Sequence, residues 1–148
     1  MLWLSQSRKP CFSPTPNPIL EKAMSIMYLS PEAQSKLKTE KNIWIASVRA
    51  DGRPHLVPIW FVWEDNKIYL SIDPKSVKAH NIAKNPYIAL ALEEGTHPVI
   101  CEGQAFSVPT PLPEEVKQLF FVKYGWDIAS EKQYNQLLEV HPLKWFVW

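Results

Sequence analysis

The chain has 148 residues, with 16 Lys and Arg against 15 Asp and Glu. That length gives one domain with a core of its own, and the charge balance excludes a nucleic-acid binder driven by bulk phosphate attraction. No stretch approaches the roughly 18 apolar residues that a membrane helix needs, and two cysteines, Cys11 and Cys101, exclude a disulfide framework or a thiolate zinc site and fit a reducing, cytoplasmic setting.

Residues 1–28 read as a proline-rich N-terminal arm, because Pro10, Pro14, Pro16 and Pro18 bar a helix or a central strand there. Ser30-Pro31-Glu32 opens a short helix to about Lys38, with Ser30 as N-cap and Pro31 in the first turn. A meander of three strands follows: Ile43–Arg49, Arg53–Trp63 and Lys67–Ile72. Asp51-Gly52 forms the first turn and Glu64-Asp65-Asn66 the second. The middle strand is apolar on both faces, with Val57, Ile59, Phe61 and Trp63 on one and Leu56, Trp60 and Val62 on the other. A helix over about Lys75–Lys84 comes next, with Ala79, Ile82 and Ala83 as its buried stripe, and Asn85-Pro86 stops it. Strands at Tyr87–Leu92 and Val99–Val108 lead to a helix from Glu114 to Tyr124 that ends at Gly125. A second helical piece is predicted over Ser130–Glu139, and a last strand over Leu143–Trp148.

Hairpin-length connections and this element order predict a mainly β domain over residues 29–148, an antiparallel barrel of six or seven strands with peripheral helices. Fourteen prolines, seven tryptophans and only four glycines suit short, stiff, strand-rich connections and an aromatic pocket or interface. The sequence has no P-loop and no GxGxxG, GxSxG or HExxH motif. The four histidines are dispersed without metal-ligand spacing.

Two places carry a chemical signal. Pro54 and Pro58 are four apart in the second strand, so both remove donors from the same edge, which is then not fully laddered. The carbonyls and remaining N–H groups there are available to a planar heterocycle. Lys75-Ser76-Val77-Lys78 then places two lysines at a helix start that is already positive, an arrangement that an anion reconciles. A ring edge followed by a phosphate cradle is what a mononucleotide such as FMN requires.

The run Asn42–Trp63, the stretch Ser76-Val77-Lys78-Ala79-His80-Asn81-Ile82-Ala83-Lys84-Asn85-Pro86, and Glu102-Gly103-Gln104-Ala105 together resemble the pyridoxamine 5'-phosphate oxidase-like flavin-binding split barrels. The resemblance spans about Leu29 to Trp148. It implies a homodimer with two flavins at the interface. The ring would lie along Val57, Pro58, Ile59 and Trp60, with contacts near Leu70 and Ser71. Ser76 and Lys78 would hold the phosphate. Further contacts would come from the partner's fifth strand and its Trp145–Trp148 region. True pyridoxamine phosphate oxidases carry basic residues where this chain has Val57, Val62 and Val77, and C-terminal arginines without counterpart here. The pattern is closer to the branch that includes deazaflavin F420-dependent reductases.

The expected function is therefore an FMN-dependent oxidoreductase acting on a small, flat organic substrate. An F420-dependent reductase is the alternative within the fold, and a flavin- or haem-binding module without turnover, with His80 as the nearest haem ligand, is the non-enzyme alternative. Trp60, Trp126, Trp145 and Trp148 are candidates for shaping the pocket. No side chain is assigned an acid–base role.

Overall fold

The computed structural model describes residues 17–19 and 29–148. The arm expected over 1–28 lies outside the described residues apart from 17–19. Six strands form one closed antiparallel barrel in the order β1-β2-β3-β6-β5-β4. They are β1 (Asn42–Val48), β2 (Pro54–Glu64), β3 (Lys67–Ile72), β4 (Tyr87–Leu92), β5 (Val99–Ser107) and β6 (Gln136–Val147). Among the residues 29–148, three helices lie outside: α1 (Pro31–Thr39), α2 (Val77–Lys84) and α3 (Glu114–Tyr124). No helix among the described residues is long and apolar enough to cross a membrane.

Local chemistry sets most of these elements. Ser30 caps α1, accepting from the Ala33 N–H at 3.1 Å, and Pro31 occupies the first helical turn. Asp65 and Asn66 both adopt positive φ, 52° and 58°, the primed-turn geometry that matches the twist of a hairpin. Gly125 ends α3 with φ 65°, a left-handed conformation glycine adopts without a Cβ penalty. Lys36 anchors α1 to the β4–β5 loop through Glu94 at 2.9 Å.

Alternating side chains fill the barrel. Ile43 and Ile45 of β1, Ile68, Leu70 and Ile72 of β3, and Leu90, Cys101, Ala105, Leu138 and Val140 are all buried in one cluster. A second core lies outside the barrel, where α3 packs Val116 and Phe120 against Val62, Tyr69 and Leu137. The two apolar faces of β2 therefore have different fates. Phe61 and Trp63 enter the barrel, whereas Val62 is sealed beneath α3 and does not face a ligand or partner.

Three expectations need correction. Residues 130–135 are bends and irregular backbone, and the segment read as a helix to Glu139 becomes strand from Gln136 onward. The reason is tertiary: Leu137, Leu138 and Val140 are buried where β6 ladders between β3 and β5. The strand expected over Leu143–Trp148 is only the end of this 12-residue β6. Pro142 sits inside it at a register shift, paired with Gly103 while Lys144 pairs with Glu102. Leu143 is thus the extra residue of a bulge, the position in a sheet that tolerates a missing donor. Finally, α2 starts at Val77 with Ser76 as its cap, so Lys75 precedes the helix, and its buried residues are Ala79, Asn81 and Ile82, with Ala83 exposed.

The C-terminal end of α3 closes against β2 and α1. The Tyr124 hydroxyl accepts from the Phe61 N–H at 3.0 Å and lies 2.7 Å and 2.8 Å from the carbonyls of Phe61 and Lys41, so it caps the open end of the β1–β2 ladder. Lys123 donates to the Leu37 carbonyl at 3.4 Å, near the end of α1, and its ammonium lies 3.8 Å from the Phe61 ring centroid. Burial, with the like charge of Lys41, pulls its amine down to about 8. Between that value and the ordinary lysine range the unfolded chain binds more protons than the folded one, so this group makes stability rise with pH over that window. We expect Lys123→Met to flatten the rise in urea midpoint between about pH 8 and pH 10 relative to the parent chain. An unchanged slope would show that Lys123 titrates as it does in water.

Candidate functional site

β2 is the strand that opens the barrel. It pairs with β1 over Pro54–Trp60 but with β3 only over Phe61–Glu64. The Arg49 N–H donates to the Arg53 carbonyl at 3.0 Å, which fixes the phase of the ladder. Odd residues of β2 exchange bonds with β1, and even residues turn their backbone groups to the other edge. That second edge has no strand neighbour over residues 54–60. Pro54 and Pro58 are both even, so the missing donors fall on the unpaired edge, as the sequence predicts, and cost no ladder bond there. The Trp60 carbonyl faces the Ser71 N–H beside the Phe61–Leu70 pair, so the edge still offers the Pro58 carbonyl and the Trp60 N–H.

Beside this edge lies a cavity of about 610 Å³, lined by Asn42, Pro58, Ile59, Trp60, Ser71, Lys78, Trp126, Glu131 and Tyr134. Its size is that of a small-molecule or cofactor site. Trp60 is its aromatic centre: it stacks on Tyr124 at 4.5 Å with the rings 7° from parallel, and meets Trp126 edge-on at 5.7 Å. Ser71 is buried at the end of β3 and donates to the Tyr134 carbonyl at 2.6 Å, fixing the α3–β6 connection to the cavity rim. Gln133 adds a second tie to Asp73 at 3.3 Å.

Lys78 reaches the cavity from the first turn of α2. It forms no ion pair among the described residues. Burial lowers its pKa, with the Asp73 charge opposing. An unpaired, half-buried ammonium beside free helix N–H groups suits an anion. The Ser76 hydroxyl is largely occupied in shaping this turn: it donates to the Asp73 carbonyl at 2.7 Å and accepts from the Ala79 N–H at 3.4 Å. Buried Asn81 donates to Ser47 at 3.0 Å, which ties α2 to β1 and holds Lys78 in place.

Of the residues expected at the site, Pro58, Ile59, Trp60, Ser71 and Lys78 converge on this one cavity. Val57, Leu70 and Ser76 lie outside its lining. Val57 packs against the barrel core, Leu70 is fully buried in it, and Ser76 sits at the cap of α2. Among the candidate pocket tryptophans, Trp60 and Trp126 line the cavity. Trp145 packs against the core, with its indole N–H buried and unpartnered, and Trp148 is exposed. Sequence reasoning missed Asn42, Glu131 and Tyr134 as lining residues. The turn formers Asp127, Ser130 and Asn135 were the available signal that the last two belong to a connection and not to a helix.

A second cavity of about 550 Å³ lies on the other side of α2, lined by Arg49, Ala50, Asp51, Arg53, Lys75, Val77, His80, Asn81 and Lys84. Its only carboxylate, Asp51, is paired with Arg53 at 2.8 Å. Its remaining side chains make it strongly cationic. His55 lines neither cavity: burial and the charges of Arg49 and Lys78 lower its pKa, and its Nδ1 is buried without a partner among the described residues.

A family model described as pyridoxamine 5'-phosphate oxidase matches residues 29–148. The chain belongs to the pyridoxamine 5'-phosphate oxidase family. Solved structures with this family's fold include a protein described as an F420 reductase, 21% identical, matching 80% of this chain and 98% of that one with a TM-score of 0.66. HutZ, the haem storage protein of Vibrio cholerae, is 22% identical over 80% of this chain and 94% of its own, with a TM-score of 0.70. HupZ of Group A Streptococcus is 17% identical over 80% and 98%, with a TM-score of 0.62. At these identities the structural likeness establishes the fold alone. A search of curated proteins finds no match.

Proposed function

We propose that this member of the pyridoxamine 5'-phosphate oxidase family is an FMN-binding oxidoreductase that works as a homodimer on a small organic substrate. The observation that carries the reading is the convergence of the unpaired β2 edge and Lys78 on one aromatic cavity. The residues present fit the group. The edge at Pro58–Trp60 offers a backbone acceptor and a donor to a ring rim. Trp60 and Trp126 offer apolar walls, and Lys78 with the first N–H groups of α2 offers a phosphate cradle.

A flavin bound there supplies two-electron redox chemistry at its ring. The protein's part is placement. Asn81 and Ser47 hold α2 against β1, so the distance between ring edge and phosphate cradle is fixed by the barrel. Ser71 and Gln133 hold the α3–β6 connection at the cavity rim. The homodimer is supported by the even face of β2. Leu56 is 59% and Trp60 46% exposed, and Val147 and Trp148 at the end of β6 are exposed as well.

The alternative cofactor F420 is favoured by the cationic cavity. FMN ends at its phosphate, whereas F420 continues into further carboxylates, for which Arg49, Lys75 and Lys84 stand beyond the first turn of α2. The absorbance spectrum of the purified protein separates the readings. Paired flavin bands support FMN, a single deazaflavin band supports F420, and a Soret band or no binding of either flavin overturns the proposal. Turnover with a reduced nicotinamide and an electron acceptor then distinguishes an enzyme from a binding module.

A further inference from the structure

The cavity beside β2 carries opposite charges in its lining, Lys78 from α2 and Glu131 from the α3–β6 connection. Glu131 is tied through both carboxylate oxygens. Oε2 accepts from the Trp126 indole N–H at 3.0 Å, and Oε1 accepts from the backbone N–H groups of Lys132 and Gln133, each at 3.1 Å. These donors hold the carboxyl below its usual range, so it is ionised at neutral pH. The indole it pins is packed edge-on against three rings: Phe120 at 5.6 Å, Trp60 at 5.7 Å and Tyr134 at 6.4 Å. The carboxylate therefore does two things at once. It fixes an aromatic wall, and it leaves a negative charge in that wall.

We propose that Glu131 is a specificity-determining residue of this cavity, selecting a flat aromatic ligand that carries N–H or O–H donors over one that carries a carboxylate. The inference rests on reading the cavity as a cofactor site. Once the phosphate of a bound cofactor neutralises Lys78, Glu131 is the uncompensated charge of the lining. A ligand admitted beside the cofactor then meets like charge if it is a carboxylate, and a hydrogen-bond acceptor if it is an amide or amine.

The test uses the full-length chain loaded with FMN and a pair of near-isosteric probes, 2-naphthamide and 2-naphthoate. Their dissociation constants are read from perturbation of the flavin spectrum. We expect the amide to bind about tenfold more tightly than the carboxylate. Glu131→Gln removes the charge and keeps one acceptor oxygen, so either the tie to the Trp126 indole or the tie to the backbone N–H groups of Lys132 and Gln133 is lost. It is expected to bring the two probes within about twofold of each other, whatever common change in their affinities the lost tie causes. Trp126→Ala weakens both probes alike, because it removes the wall and not the selecting charge. A residue that only shaped the connection would change both affinities together and leave their ratio intact. Equal binding of the probes by the parent chain, or a ratio unchanged in Glu131→Gln, overturns the assignment of Glu131. Failure of the chain to take up FMN overturns the cofactor reading, and the inference falls with it.

Discussion

Replacing Lys78 by alanine is expected to weaken FMN binding about 5- to 150-fold, equivalent to roughly 1–3 kcal/mol for a lost charge-assisted contact to phosphate. The side chain stands in the first turn of α2, half-buried and without an ion pair among the described residues. Its removal takes away a cation that the fold leaves free for a ligand, so stability should change little while affinity falls. Lys75→Ala is the matched control. Lys75 precedes the helix and lines the other cavity, so its loss should alter FMN affinity by less than about twofold, because only screened, longer-range attraction is lost. A larger effect of Lys75→Ala with F420 than with FMN would favour the deazaflavin. Equal FMN affinities for the parent chain and Lys78→Ala would remove the phosphate from α2.

Gly103→Ala is expected to be strongly destabilising, with the melting temperature falling by about 5–10 °C for an overpacking cost of roughly 1–3 kcal/mol. A Cβ at this position would lie 2.7 Å from the His141 carbonyl oxygen and 3.1 Å from Val140 Cγ1. The nearer obstacle is backbone, which cannot rotate away as a side chain would. Gly103 faces Pro142 beside the bulge at Leu143, so relief would require β5 and β6 to separate where they close the barrel. The effect is conformational as well as steric in its consequences: the Trp145–Trp148 end of β6 follows directly, and it is part of the surface proposed to meet a second copy. We therefore expect the variant to dimerise less well than the parent chain in sedimentation experiments. A melting temperature within about 2 °C of the parent would show that the β5–β6 contact relaxes at little cost.

How far the sequence could be read depended on whether a signal was local. The hairpins announce themselves through Asp51-Gly52 and Asp65-Asn66, and the α1 start through Ser30. These positions are decided by backbone preferences that neighbours in sequence express. Pro54 and Pro58 were equally informative, because a missing N–H has only one tolerable direction in a sheet, and the ladder shows both facing the unpaired edge.

β6 was illegible for the opposite reason. Its first half carries Leu137, Leu138 and Glu139, which suit a helix, and only burial between β3 and β5 decides otherwise. Pro142, which lies between the expected helix and the expected strand, is a bulge neighbour inside one strand. The same misreading hid Glu131 and Tyr134, whose place at the cavity depends on the connection being irregular and tied to Ser71 and Asp73. Val62 illustrates a further limit. The alternation of β2 assigned it to an outer face, but nothing in the strand itself reveals that α3 covers that face.

The most direct test of the account is a crystal structure of the chain grown with FMN. The account predicts the ring against Pro58, Ile59 and Trp60, the phosphate at Lys78 and the start of α2, and a second copy covering Leu56 and Trp60. A dimer in which the side chains of either copy fill that cavity, leaving no space for a nucleotide, would contradict it.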